Sequence, residues 1–310
     1  MGAKLSATQI AKENRVENRT KTVLITGTSS GIGLAAVKAL APNGWKVICA
    51  VRNPAKMELA SKDFSPELKA NIEVRQLDLS SLAEVKAFVQ QLPQDLELDG
   101  VICNAGLFPT KWEVTKTDGY EMCFQACHLS HHLLVRLLEP KLADKSRVVF
   151  VSSAVHSSFD LKTYEWPSEA TPKGFGSDSK DSFAKMGMRA YAQAKLCNLH
   201  DALEFGKRLE QRGIMVFAVH PGVVDTGIWP WFLTGITKVL LLSPDQGAGS
   251  MVHTLTDLKL REAYHPGQYF VPPMMRGAPY LTEASKLAQN PAVSERLWVE
   301  TEKIVQPFLG

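Results

Sequence analysis

Thr26-Gly27-Thr28-Ser29-Ser30-Gly31-Ile32-Gly33 is the stretch whose reading decides the fold of this 310-residue chain. An apolar run, Thr22 to Ile25, leads into it, and Leu34-Ala35-Ala36-Val37-Lys38-Ala39-Leu40 follows with helical spacing. Strand, glycine-rich turn and helix, in that order, are what a dinucleotide fold requires. Gly27 permits the tight turn. Gly31 lets the backbone approach a pyrophosphate that a side chain would block, and Gly33 lets the helix lie close to the strand. The free N–H groups and the positive end of the helix then face the anion. The spacing is T-G-x-x-x-G-x-G, not the usual G-x-G-x-x-G. Alone, such a loop is as readable as a turn, and the later stretches decide between the two.

Outward from that loop, apolar runs and helical stretches alternate. Trp45 to Ala50 ends in Val51-Arg52-Asn53-Pro54, and Ile72 to Leu77 ends in Asp78. Ser81 to Leu92 reads as a helix with Leu82, Val85, Phe88, Val89 and Leu92 on one face. Gly100 to Cys103 is a fourth strand, ending in Asn104-Ala105-Gly106. The spacing predicts a long helix from Thr117 to Leu142, which offers a dimer face, and a fifth strand from Arg147 to Val151 that ends in Ser152-Ser153. Ala154 to Met186 is rich in Ser, Pro, Gly and Lys and reads as an insertion loop. A helix from Arg189 to Arg212 is ended by Gly213, and Ile214 to Val219 is a sixth strand closed by His220-Pro221-Gly222.

This alternation predicts the α/β class: a doubly wound, Rossmann-type parallel sheet with helices on both faces. Residues 1–20 read as a polar N-terminal extension and 21–310 as a single domain. From Ile228 the alternation lapses. The expectation there is a C-terminal lid region over 228–265, a seventh strand near Gln268 to Val271, and closing helices near Thr282 to Ala288 and Ala292 to Val305.

Composition narrows the function classes. A net charge of +3 and a pI near 8.5 give no electrostatic case for nucleic acid. The five cysteines are odd in number and lack a C-x-x-C pair, which favours a reducing compartment, cytoplasmic or organellar. No run of about 20 apolar residues exists, so no membrane span is expected, and peripheral association is left open. The first 20 residues lack an apolar signal core. Met1-Gly2-Ala3-Lys4-Leu5-Ser6 fits the myristoylation pattern only loosely, and an ordinary chain start is the better reading.

In such a sheet, ligands bind beyond the carboxyl ends of the strands, and there the residues carry chemistry. Tyr191 and Lys195 are four apart and share one helix face. A tyrosine of pKa about 10 is a poor acid–base catalyst at neutral pH. A neighbouring ammonium stabilises the phenolate, and lowering the pKa by about 3 units needs roughly 4 kcal/mol of differential interaction. Ser153 would hold a substrate oxygen while Tyr191 passes the proton. Cys123, Cys127 and His131 also lie four apart, a spacing that zinc accepts. No fourth ligand is indicated, and a packed helix with soft apolar cysteines is preferred, with no metal expected.

Taken together, Thr26 to Gly33, the N-A-G of Asn104 to Gly106, Ser153, the Y-x-x-x-K of Tyr191 to Lys195, and Pro221-Gly222 resemble the short-chain dehydrogenase/reductase superfamily. The elements occur in family order over about residues 20 to 225. The resemblance implies Ser153, Tyr191 and Lys195 as catalytic residues. It implies a dinucleotide held by Gly27, Ser29, Ser30, Gly31, Ile32 and Gly33. Asp78 and Leu79 would lie near the adenine, and Asn104, Ala105 and Gly106 at the central strand. Tyr191 and Lys195 would lie at the nicotinamide ribose, and Pro221, Gly222, Val224 and Thr226 at the carboxamide side. Arg52 stands where NAD-specific members carry an acid. Its planar fork suits a 2′-phosphate, so NADP(H) is the expected cofactor.

Two groups within the superfamily resemble this chain: the retinol dehydrogenases with the WW-domain-containing oxidoreductases, and the light-dependent protochlorophyllide reductases. Thr117-Asp118-Gly119-Tyr120-Glu121 and Lys195-Leu196-Cys197-Asn198 suit both. Lys21-Thr22-Val23 and Val101-Ile102-Cys103-Asn104-Ala105 lean toward the reductase, and Gly106, where the reductases usually carry alanine, leans away from it. Cys197 matches a pocket cysteine of the reductase by position, but reads better as a core residue. Ile228, Trp229, Trp231, Phe232, Leu233 and Val239 to Leu242 imply a bulky apolar substrate. The expected activity is hydride transfer to or from an apolar carbonyl or alcohol. Protochlorophyllide-type C=C reduction and a catalytically impaired cofactor-binding scaffold are the alternatives. The third arises because relatives read N-H-L-G-H-F where this chain reads Cys127-His128-Leu129-Ser130-His131-His132. The missing asparagine normally anchors a water in the proton relay, and a thiol is a weak substitute.

Overall fold

A computed structural model of the chain describes residues 6–16, 20–108, 113–158, 183–224, 242–272 and 278–310, with residues 183–186 described for backbone only. Eight strands form one sheet in the order β3-β2-β1-β4-β5-β6-β7-β8. They are β1 (Lys21–Thr26), β2 (Trp45–Val51), β3 (Ile72–Gln76), β4 (Leu98–Cys103), β5 (Leu142–Val151), β6 (Met215–Val219), β7 (Tyr269–Val271) and β8 (Tyr280–Thr282). All neighbouring pairs are parallel except β7 with β8. The order reverses between β1 and β4, and that switch point leaves a crevice beyond the strand ends.

The helices are α1 (Ala7–Glu13), α2 (Gly31–Leu40), α3 (Pro54–Ala60), α4 (Pro66–Ala70), α5 (Leu82–Gln90), α6 (Met122–Phe124), α7 (Ser130–Leu138), α8 (Phe183–Leu209), α9 (Pro244–Thr256) and α10 (Pro291–Leu309). A π turn, Gln125–Leu129, joins α6 to α7. One face of the sheet packs against α5, α7, α8 and α10, through Phe88, Leu133, Leu196, Phe205 and Leu297. The other packs against α1, α2 and α9, through Ile10, Val37, Met251 and Leu255. The central strands are apolar along their whole length because both faces are covered; Val23, Leu24 and Ile25 in β1 are all fully buried.

Four expectations need correction. The helix expected from Thr117 starts at Met122. Gly119 sits at φ 77°, a left-handed conformation that breaks a helix, and the Glu121 carboxylate caps the new start by accepting from the Cys123 and Phe124 N–H groups (2.9 and 2.7 Å). That helix ends at Leu138, because strand β5 begins at Leu142 and not Arg147. Lys145, at φ 66°, interrupts the pattern before the apolar run and hides the strand's first half. The expected helix at Thr282 to Ala288 is instead the end of β8 followed by a turn.

Two terminal regions also differ from the reading. The polar extension holds α1, whose Ser6–Gln9 capping box starts a helix with Ala7, Ile10 and Ala11 buried against α2 and α9. Of the expected lid over 228–265, residues 228–241 lie outside the described residues. Pro244–Thr256 is the buried helix α9, a part of the sheet's covering layer.

One face of α7 is covered by α10. Trp298 of α10 lies with its ring centroid 4.8 Å from those of His132 and Phe205, and the Arg208 guanidinium stacks over it at 4.0 Å. Beneath it, Asp201 on α8 binds two histidines of the α6–α7 segment, His128 Nδ1 and His132 Nδ1, both at 2.8 Å. Glu302 on α10 takes His132 Nε2 at 2.9 Å and Arg136 Nε at 2.8 Å. Among the described residues no helix is long and apolar enough to cross a membrane.

Candidate active site

The glycine loop is held open by contacts that only glycine allows. Gly27 and Gly31 have φ of 72° and 58°, the left-handed region. A Cβ on Gly33 would lie 2.4 Å from the Gly27 carbonyl oxygen and 2.6 Å from Asn104 Nδ2. The start of α2 therefore presses directly on the end of β1. Ser30 is the N-cap of α2 and makes no side-chain cap bond, so the helix's first N–H groups remain available to an anion. Gly33→Ala is expected to cost about 1–3 kcal/mol by overpacking, read as a lowered urea midpoint; an unchanged midpoint would show that the loop has slack.

Thr26, the first residue of the glycine-rich motif, is the hub behind this loop. Its Oγ1 accepts from the Asn104 and Ala105 N–H groups at 3.0 and 2.9 Å. His131 Nδ1 donates to the Cys127 carbonyl at 3.1 Å, which leaves Nε2 to accept the Thr26 hydroxyl proton at 2.9 Å. Burial pushes the His131 imidazole down to about 4, so it is neutral at physiological pH. Asn104 Nδ2 donates to the Thr26 and Gly27 carbonyls at 2.7 and 3.2 Å, while its Oδ1 is buried with no protein partner.

The other expected cofactor positions follow the strand ends. Arg52 is exposed just past β2. Asp78 follows β3 and folds onto Ser80, accepting from its N–H and hydroxyl at 2.9 and 2.8 Å. The Leu79 carbonyl is pinned by the Ser130 hydroxyl at 2.7 Å. Pro221, Gly222 and Val224 follow β6. The methyls of Val224 and Ile32 both crowd Gly247, where a Cβ would meet them at 2.5 and 2.9 Å. The segment after β6 thus closes against the glycine loop. Thr226 lies outside the described residues.

Helix α8 is stapled to the end of β5. Lys195 Nζ and Asn198 Nδ2 both donate to the Val151 carbonyl, at 2.8 and 3.0 Å, and the Ser152 hydroxyl donates to the Lys195 carbonyl at 2.7 Å. This staple sets Tyr191 against Ser153, with which it shares a side-chain hydrogen bond, and sets the Lys195 ammonium 5.5 Å from the Tyr191 ring. The Phe108 ring lies 5.4 Å from that of Tyr191. Burial raises the phenol above its ordinary value. The neighbouring Cys127 and Cys123 raise it further, and Ser153 opposes them. A hydroxyl, a desolvated phenol and an ammonium around one point can orient an oxygen and move a proton to or from it.

Next to this group the two sulfurs of Cys123 and Cys127 stand 3.7 Å apart, with the Leu107 carbonyl at 3.4 and 3.8 Å. His131 turns away from them to Thr26, so the three residues spaced four apart do not converge on one point. Cys197 is fully buried in the core. Beyond Ser153, a cavity of about 540 Å³ is lined by Ala154, His220, Gly222, Val223, Leu242 and Tyr269, among others.

Residues 21–162 match the family described as short chain dehydrogenase. A WW domain-containing oxidoreductase of Drosophila melanogaster is 33% identical over 295 residues, covering 92% of this chain and 68% of that one. Human retinol dehydrogenase 11 is 30% identical over 292 residues, covering 90% and 83%. A crystal structure of an uncharacterized protein from Mycobacterium Paratuberculosis superposes with a TM-score of 0.73 at 27% identity, over 98% of both chains. The NADPH-bound carbonyl reductase from chicken fatty liver shares the fold, with a TM-score of 0.61 at 20% identity over 86% of this chain and 97% of that one. The chain belongs to the short-chain dehydrogenase/reductase family of oxidoreductases. Within the family its group is that of the WW domain-containing oxidoreductases and retinol dehydrogenases.

Proposed function

We propose that this protein is an NADP(H)-dependent oxidoreductase that interconverts a bulky apolar carbonyl compound and its alcohol. The observation that carries this reading is the staple between β5 and α8, which gathers Ser153, Tyr191 and Lys195 at the mouth of the crevice beside the glycine loop. The loop suits a dinucleotide: its glycines leave no Cβ where α2 meets β1, the α2 N-terminus is uncapped by a side chain, and Asn104 Oδ1 is a buried acceptor without a protein partner.

Gly27 to Gly33 would hold the pyrophosphate through backbone N–H groups. Arg52 would pair with the 2′-phosphate, Asp78 and Leu79 would border the adenine, and Lys195 would bind the nicotinamide ribose. When bound, the nicotinamide supplies or accepts the hydride. Ser153 orients the substrate oxygen by hydrogen bond, Tyr191 gives or takes its proton, and Lys195 stabilises the phenolate. The apolar walls of the 540 Å³ cavity, Val223, Leu242 and Val271 among them, suit the substrate's hydrocarbon body.

The test is coenzyme preference, measured as NADPH and NADH consumption with a panel of apolar aldehydes. Arg52→Glu is expected to lower kcat/KM for NADPH by about 10- to 100-fold, the loss of roughly 1.5–3 kcal/mol of charge-assisted bonding, and to leave NADH use intact. An unchanged ratio would remove Arg52 from coenzyme selection. NADPH binding without turnover of any panel member would favour the scaffold alternative.

A further inference from the structure

We propose that Cys127, hydrogen-bonded by Cys123, is an anionic counter-group to Lys195 that keeps Tyr191 a proton donor. The inference rests on the oxidoreductase reading above and deepens it, because it assigns the reaction a preferred direction. Cys127 here is a positioning residue and acts through Lys195 and Tyr191.

The geometry is that of a shared proton. The sulfurs are 3.7 Å apart, within S–H···S reach, and both side chains are fully buried. Cys127 Sγ and Lys195 Nζ border the same empty spot over Gly106, at 3.3 and 3.4 Å from a Cβ placed there. Cys123, Cys127, Ala190, Tyr191 and Ala194 form one packed cluster, walled by Leu107, Phe108 and Val155. All five are buried, so charges inside the cluster act on one another more strongly than at the surface.

Either sulfur could donate across the 3.7 Å contact, and the Lys195 ammonium beside Cys127 favours the anion there. On its own segment, His131 is neutral, and Glu121 is pushed up to about 7 by burial while it caps the helix start. From α8 it meets Tyr191 and the Lys195 ammonium. Cys123's hydrogen bond and the Lys195 charge hold the Cys127 thiol below its ordinary value against the penalty of burial. Cys123 correspondingly keeps its proton. Cys103, at the end of β4, is pushed up by burial and stays a thiol.

A thiolate beside the ammonium offsets the field that would otherwise draw the proton off Tyr191. In carbonyl reduction Tyr191 gives its proton to the carbonyl oxygen, whose carbon would take the hydride that a bound reduced nicotinamide supplies; Tyr191 is left as a phenolate and then takes up a proton again. A Tyr191 held in its protonated form is ready for that step and poor at the reverse one. The thiol pair therefore biases the site toward reduction at neutral pH.

Two measurements test the pair. First, ultraviolet thiolate absorbance is titrated on the full-length, coenzyme-free protein. One thiolate should form at a pH clearly below the ordinary cysteine value of about 8.5. Cys127→Ser should remove it, Cys123→Ser should move it upward, and Cys49→Ser should leave it in place. Second, the rising limb of the pH profile for alcohol oxidation, along which Tyr191 becomes a phenolate, should move down by about one pH unit in Cys127→Ser, roughly a tenfold gain in phenolate at a given pH. A merely structural cysteine would change stability and leave that limb where it was.

A wild type without a low-pH thiolate overturns the proposal. So does a thiolate lost in Cys127→Ser with no movement of the pH profile. If Cys127→Ser does not fold, an unmoved titration in Cys123→Ser overturns it. Failure to bind NADPH overturns the oxidoreductase reading instead, and the absorbance titration, made without coenzyme, still reports on the sulfurs.

Discussion

Tyr191→Phe is expected to lower NADPH-dependent turnover by about 10²- to 10⁴-fold, the range that a positioned proton donor contributes. Coenzyme affinity should hardly change. The substitution removes one oxygen from a residue that is already buried between Phe108, Ala190 and Ala194, so the cluster keeps its shape. Ser153 loses a hydrogen-bond partner, while Lys195 remains fixed on the Val151 carbonyl. Turnover by apolar aldehydes and NADPH titration by fluorescence, done on the same sample, separate the two effects. Equal rates in the variant and the parent would take Tyr191 out of the mechanism.

Asp201→Ala carries the largest expected effect on stability, a loss of about 3–5 kcal/mol, because it strips a buried ion cluster of its central anion. Asp201 faces His128 and His132 at 2.8 Å on each carboxylate oxygen. Burial disfavours its charge, yet the two histidines hold the carboxyl well below its usual range. Burial likewise works against charge on His132, but Asp201 and Glu302 outweigh it and raise the imidazole above 6.5. The signs follow. The His132 contribution is complete below about pH 6.5 and is lost as pH rises through the raised folded-state value. The Asp201 contribution is complete above the usual carboxylate value and is lost only in strong acid. Urea midpoints of the wild type should therefore fall as pH rises above about 6.5, and Asp201→Ala should flatten that slope. A midpoint within experimental scatter of the parent's would show the cluster to be dispensable.

The parts of the fold and site that were legible in the sequence are those set by local rules. Glycines that permit φ above zero, apolar runs of strand length and a tyrosine one turn from a lysine each announce themselves within a few residues. The presence of strands β1 to β7, of the glycine loop and of the body of α8 is readable for that reason, although α8 begins at Phe183, inside the stretch expected to be an insertion loop, and β5 at Leu142. What escaped depends on contacts between distant segments. Nothing near Thr117 shows that Asp118 accepts from the Leu82 N–H at 2.9 Å and so helps hold the loop before α6. Thr26 looked like a frame for Gly27, and its link to His131, 105 residues on, is invisible until the chain is folded. The small apolar residues of α1 make one short stripe in a polar run and gain meaning only against α2 and α9. The departure at Cys127 is visible in the sequence, but spacing reads Cys123 beside it as a soft core cysteine and does not show the 3.7 Å approach of the two sulfurs.

The final helix has a consequence for how the site endures. Lys195 and Asp201 stand on the same α8, less than two turns apart, and α10 reaches that helix from the same polypeptide through Trp298 and Glu302. The buttress behind the candidate active site is thus intramolecular. Dilution, which dismantles contacts shared between molecules by mass action, leaves these contacts of Trp298 and Glu302 in place.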